Sequence, residues 1–158
     1  MIQYKKMNSA IESISAILVF LFLYTGVSKY LSFHAFQTVL GESTIISKHA
    51  HYIALILPAL EIITTILLTI PKMRIWGLYV SLALLLSFTA YLIYMVNYAP
   101  NLPCSCGGII QQLSWSQHII LNSLLSLATI TAIYLYRKIS RNTLKNQASV
   151  RVPIQNIL

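Results

Sequence analysis

Two cysteines stand two positions apart in Pro103-Cys104-Ser105-Cys106-Gly107-Gly108, and the chain has no others. A disulfide between residues i and i+2 closes a very small ring. Such bonds favour Cα separations of about 4.4–6.8 Å and a dihedral near 90°, and departures make them easier to reduce. So short a loop removes little chain entropy, so a bond here does little to stabilise a fold. Strained or exposed disulfides are the labile, catalytic kind. The spacing therefore points first to thiol–disulfide exchange. Two other readings fit the same pair. Both thiolates, with His118, would suit a soft metal such as copper(I) or zinc, and the pair would also suit two unreactive thiols in a turn that Gly107 and Gly108 allow to bend tightly.

Three further residues stand out by type and context. Glu61 interrupts the apolar run Leu57-Pro58-Ala59-Leu60-Glu61-Ile62. A carboxylate in hydrocarbon is costly, about 2.5–3.5 kcal/mol on insertion scales, so it should face inward and have a partner. Lys29, at the end of the preceding apolar run, is the candidate. The two would lock neighbouring helices together, or serve a proton relay or a quinone contact. His118 lies twelve residues past Cys106 and could take up or stabilise a thiol proton; as an interfacial residue it would join an aromatic belt of Trp115, Tyr98, Tyr52 and Tyr30. His34, His49 and His51 match no metal-ligand spacing and read as solvated loop residues, so no metal site is assigned. Asn122 suits a hydrogen bond across a bundle, and Thr25, Gly26, Ser28, Gly77 and Ser81 suit close helix packing. Tyr91 and Tyr94 read as packing residues.

The elements that position these groups follow from composition. Only 9% of the residues are charged against 57% hydrophobic, where a water-soluble domain carries about 25% charged residues. Lipid must be the solvent for most of the chain. A bilayer core of about 30 Å requires roughly 20 apolar residues in helix, and four stretches qualify: 10–30, 52–70, 75–98 and 118–136. Each must be helical, because backbone amides in hydrocarbon have to pair within their own segment. The first stretch exceeds a signal-peptide core and lacks a small-x-small cleavage site after it, so it is retained as a span. The expected fold is an all-α membrane protein, a four-transmembrane-helix bundle over 1–136, followed by a basic tail over 137–158.

The net charge of +8 sits in short segments between the spans, and no nucleic-acid motif accompanies it, so no nucleic acid is expected as a partner. Lys5 and Lys6 precede the first span, Lys72 and Arg74 fill the turn between the second and third, and Arg137, Lys138, Arg141, Lys145 and Arg151 follow the fourth. Lys29 and Lys48 alone lie between the first two spans, and 97–117 has no basic residue. Positive charge marks the cytoplasmic side. Both termini are therefore expected inside (N-in/C-in), and the loops near 31–51 and 97–117 outside, with the cysteines in an oxidising compartment where disulfides persist. The tail's charge would attract anionic lipid.

Taken together, Tyr24-Thr25-Gly26-Val27-Ser28-Lys29, Pro58-Ala59-Leu60-Glu61, Phe88-Thr89-Ala90-Tyr91 and the cysteine segment with Trp115 and His118 resemble the MauE branch of the DoxX-like membrane proteins over about residues 10–136. The resemblance implies a four-helix bundle in the bacterial inner membrane. It also implies a link to redox processes, the founding members being associated with maturation of methylamine dehydrogenase and its disulfide-rich small subunit. Carried over to this chain, Cys104 and Cys106 would be the redox pair, with Lys29, Glu61 and His118 supporting.

The function expected from these readings is exchange between the cysteine pair and a thioredoxin-like or secreted cysteine-containing protein outside the membrane. If the pair turns over, electrons must pass through the bundle, which points to a quinone as carrier. The membrane enzymes that do this carry Cys-x-x-Cys and usually a second cysteine pair, whereas this chain has two cysteines in total. Direct exchange with a partner is therefore favoured over a relay within the chain. The rival readings are a non-catalytic membrane scaffold for a redox partner, and soft-metal handling.

Overall fold

A computed structural model describes residues 2–41, 46–98 and 114–155. Every element in it is helical: α1 (Ile2–Leu31), α2 (Phe33–Gly41), a 3₁₀ turn (Ser47–His49), α3 (Ala50–Thr69), α4 (Arg74–Tyr98) and α5 (Trp115–Gln155). Four helices are long and apolar enough to cross a membrane, over Lys6–Leu31, Ser47–Thr69, Arg74–Tyr98 and Ser116–Thr143. The protein is a multi-pass membrane protein.

The long helices form a closed ring in which α1 packs on α3, α3 on α4, α4 on α5, and α5 returns to α1. Consecutive spans run antiparallel. Leu18 and Phe22 of α1 share a core with Leu68 of α3, while Lys29, later in α1, meets Glu61, earlier in α3. The surface is inverted relative to a water-soluble bundle. Ile17, Phe20, Leu23, Ile63, Ile66, Leu86, Leu124 and Leu127 are exposed, whereas Ser15, Thr64, Thr65, Ser81, Ser126 and Thr129 are buried. Lipid accepts the apolar exterior, and association then rests on close packing and internal polar contacts rather than on burial from water.

Most of the buried hydroxyls bond backward along their own helix: Thr64 donates to the Leu60 carbonyl, Thr65 to Glu61, Ser81 to Gly77, Ser126 to Asn122 and Thr129 to Leu125, at 2.7–3.0 Å. Such bonds satisfy the hydroxyl but tie no two helices together. Ser81→Ala should therefore cost less than about 1 kcal/mol, in line with the small average measured for polar contacts in membrane proteins. Denaturant-driven unfolding in mixed micelles checks this; a loss above about 2 kcal/mol would mean that Ser81 holds α4 to a neighbour.

Two boundaries differ from the sequence expectation. The segment 31–51, expected as an outer loop, contains α2 and the 3₁₀ turn. Ser32 marks the junction: its amide bonds the Ser28 carbonyl and its own carbonyl accepts from Phe36, each at 3.0 Å. Phe33, Phe36 and Leu40 recur at helical spacing and pack with Ala50, Ile53 and Ala54, so α2 buries one face against the start of α3. The fourth span, expected to end at Tyr136, belongs to a helix that continues to Gln155: residues 137–152 contain no glycine or proline to break it, and Pro153 falls only in its last turn. Its start is set by a reciprocal cap. The Ser114 amide donates to Gln117 Oε1 at 2.8 Å, and the Gln117 amide donates to Ser114 Oγ at 3.4 Å. This Ser-x-x-Gln capping box is a sequence signal that places the helix start ahead of residue 118.

The two ends of the ring are packed differently. Leu18, Phe22, Leu68, Leu78, Leu85, Ala132 and Ile133 form a continuous core at the end that holds the α3–α4 turn. The opposite end is hollow, and α2 lies beside it.

Candidate membrane-embedded site

The hollow end holds a partly open cavity of about 250 Å³. Phe22 and Thr25 come from α1, Phe36 and Leu40 from α2, and Leu57 from α3. Phe88 and Tyr91 come from α4, and Leu121 and Asn122 from α5. Three sequence-predicted site residues, Lys29, Glu61 and His118, line the same space. Hydropathy alone gave no reason to expect His118 on α5 to share a wall with Glu61 on α3.

At the base of the cavity Lys29 Nζ donates to Glu61 Oε1 at 2.5 Å. The pair joins α1 to α3 where the backbones come close. A Cβ on Gly26 would lie 3.2 Å from Glu61 Cβ and 3.2 Å from Ile62 Cδ1, so glycine at 26 lets α1 approach Glu61 without displacing its neighbours. Glu61 is 2% exposed. Lys29 is further held by two aromatic faces, with Nζ 5.0 Å from the Phe88 ring centre and 5.8 Å from that of Phe36, within the range of a cation–π attraction. Phe36 belongs to α2, so the helix that sequence reading took for loop supplies part of the lysine's surroundings.

The Thr25 hydroxyl lies beside the Glu61 carboxylate but donates to the Phe22 carbonyl at 3.4 Å. Glu61 Oε2 is left buried without a hydrogen-bond partner among the described residues, and so is His118 Nε2. The other imidazole nitrogen, Nδ1, sits 3.2 Å from the Ser114 carbonyl oxygen, fixing the ring to the first turn of α5. Tyr91, expected as a packing residue, stands in the cavity wall. Tyr94 stacks on Tyr98 with ring centres 5.1 Å apart. Tyr30, Tyr52 and Tyr98 are all exposed at this end of the bundle, where amphipathic rings mark a membrane–water interface.

His34, His49 and His51 are exposed, but they stand on α2, the 3₁₀ turn and α3 rather than in a loop. His34 and His51 each meet the edge of Phe33, with centres 5.9 Å apart. No group of three or more His, Cys, Asp or Glu side chains converges among the described residues. Cys104 and Cys106 lie outside the described residues, in the connection between α4 and α5.

The arrangement combines an apolar, ring-lined space with one buried ion pair and two open polar atoms. Such a space can hold a small apolar molecule and fix its orientation by a few polar contacts.

No curated protein and no solved structure matches the chain. The family model for methylamine utilisation protein MauE matches residues 7–135, a stretch that takes in three spans almost entirely, most of the fourth, the ion pair and the cavity lining. A match over most of the sequence, on a bundle whose spans and buried pair come from the same residues, places the protein by descent: the chain belongs to the MauE family of methylamine utilisation proteins.

Proposed function

We propose that this MauE-family protein is a membrane thiol–disulfide exchanger. Cys104 and Cys106 would face the compartment opposite the basic, cytoplasmic ends, in the inner membrane of a bacterium, and act on a thioredoxin-like or secreted cysteine-containing partner. A thiolate of one protein attacks the disulfide of the other to give a mixed disulfide. The second thiolate of the attacking pair then resolves it. Two electrons and two protons change hands, one protein ending as disulfide and the other as dithiol. A quinone dissolved in the bilayer serves as the carrier that resets the pair. In methylamine utilisation, a disulfide-rich secreted subunit would be the kind of substrate this chemistry serves.

The observation that carries the proposal is where α4 and α5 meet the cavity. The two helices joined by the cysteine-bearing connection supply Phe88, Tyr91, His118 and Asn122 to its wall. Cys104 follows Tyr98 by six residues and Cys106 precedes Ser114 by eight, so chain length alone keeps both sulfurs within about 20–30 Å of those helix ends. α4 ends and α5 begins at the hollow end of the bundle, which also holds the buried pair.

Cys104→Ser and Cys106→Ser singly should each trap or abolish the mixed disulfide, and together should abolish exchange. Non-reducing electrophoresis of partner proteins from cells expressing each variant reads this out. If the double variant leaves partner oxidation unchanged while the protein still inserts, the chain acts as a scaffold. An impermeant thiol reagent that labels the cysteines only from the cytosol would also sink the proposal.

A further inference from the structure

The two open atoms on the cavity wall have a chemical sense that can be assigned. A buried polar atom without a partner in a native protein calls for a ligand or solvent to satisfy it. His118 Nδ1 contacts a backbone carbonyl oxygen, which can only accept, so Nδ1 carries a proton, and in the neutral form of the ring Nε2 presents a lone pair. Glu61 Oε1 accepts from Lys29, and the paired carboxylate offers Oε2 as a further acceptor. Both openings therefore ask for donors.

The space whose lining includes both residues is largely apolar, with Phe22, Phe36 and Phe88 in its wall. A cavity of about 150 Å³ is enough to take up benzene, so the space here, about 250 Å³, admits a substituted single ring. Water would satisfy the two acceptors but wet the apolar walls. A lipid acyl chain would suit the walls and leave both acceptors open. A flat ring with hydroxyl groups satisfies both demands.

We propose that the cavity binds a hydroquinone, the reduced form of a lipid-soluble quinone, with its hydroxyls donated to Glu61 Oε2 and His118 Nε2. The inference rests on the proposed function for the class of carrier, and it adds the site, the contacts and the preferred oxidation state. In the exchange that such a site would serve, the Cys104–Cys106 dithiol becomes a disulfide as the quinone becomes a hydroquinone. Two electrons and two protons pass from the thiols to the ring and its oxygens. The reverse reaction returns them.

The test uses the full chain carrying Cys104→Ser and Cys106→Ser, so that no thiol chemistry contributes, in phosphatidylcholine nanodiscs kept anaerobic. It is titrated with durohydroquinone, with duroquinone, and with durene, which has the same ring and methyl groups but no oxygen. Durohydroquinone should bind saturably and at least about tenfold more tightly than durene, since each net hydrogen bond is worth roughly two- to tenfold in affinity. Duroquinone, which has no donor, should bind more weakly than its reduced form. His118→Phe should weaken durohydroquinone about five- to tenfold and leave durene unchanged, and His118→Gln, which keeps an acceptor, should restore most of the loss. Equal affinity for durohydroquinone and durene, or a preference for duroquinone, would overturn the proposal. Because the sulfurs are absent, this result is independent of whether the native chain exchanges disulfides.

Discussion

Lys29→Met should destabilise the bundle by about 3–5 kcal/mol, the cost of removing one partner from a buried ion pair. The lysine is the main hydrogen-bond donor to a carboxylate that is 2% exposed. Removing it leaves Glu61 among apolar neighbours at the contact between α1 and α3. The double variant Lys29→Met, Glu61→Leu should recover most of the loss, because replacing a whole buried pair with apolar groups is often neutral or stabilising. Unfolding of the single and double variants in mixed micelles forms a double-mutant cycle, and the coupling should be several kcal/mol. A coupling below about 1 kcal/mol would put the pair in the class of exposed surface bridges. The double variant also separates stability from chemistry. It should fold, yet lose the acceptor that Glu61 offers to the cavity, so hydroquinone binding should fall while the bundle stays intact.

Gly77→Leu should be comparably damaging for a steric reason. A Cβ at this position would lie 2.8 Å from the Leu68 backbone nitrogen and 3.0 Å from the Leu67 carbonyl carbon. The obstacle is main chain, which cannot swing aside as a side chain does. The position lies in the first turn of α4, and the Gly77 amide bonds the Met73 carbonyl at 3.1 Å. Separating α3 from α4 here would also disturb Leu68 and Leu78, two fully buried members of the solid core. Overpacking costs about 1–3 kcal/mol and occasionally more. Gly77→Ala should therefore lose about 2–3 kcal/mol, and the leucine variant should lose more or fail to accumulate. Gly41 supplies the control, since a Cβ there meets nothing within 4 Å, and Gly41→Ala should stay within about 0.5 kcal/mol of the parent. Thermal aggregation in detergent ranks the three. Similar losses at 41 and 77 would mean that helix geometry, not close approach, sets the cost.

The spans were legible because their determinants are local. An apolar run such as Ile17-Leu18-Val19-Phe20-Leu21-Phe22-Leu23 must be helical in lipid wherever its neighbours lie. The meeting of Lys29 with Glu61 was legible for a related reason. Two consecutive antiparallel spans bring the end of one beside the middle of the next, and a carboxylate in hydrocarbon needs a cation. Gly26 and Gly77 were legible as packing positions, though not which backbone each would approach. The short helix α2 was missed because the polar residues His34, Gln37 and Thr38 resemble loop composition, while its apolar face becomes meaningful only against Ala50 and Ala54.

Hydropathy and charge by themselves determined the number of spans, their antiparallel order and the existence of a buried pair, since each follows from what a bilayer demands of a single stretch of chain. Tertiary structure decided the rest. It closed the ring α1–α3–α4–α5, filled one end and left the other hollow, and laid Phe36 beside Lys29. It also turned His118 into the cavity that holds Glu61. These features depend on how helices rotate and pack against partners distant in sequence. No local pattern encodes a cavity, because it is the space that several elements together fail to fill.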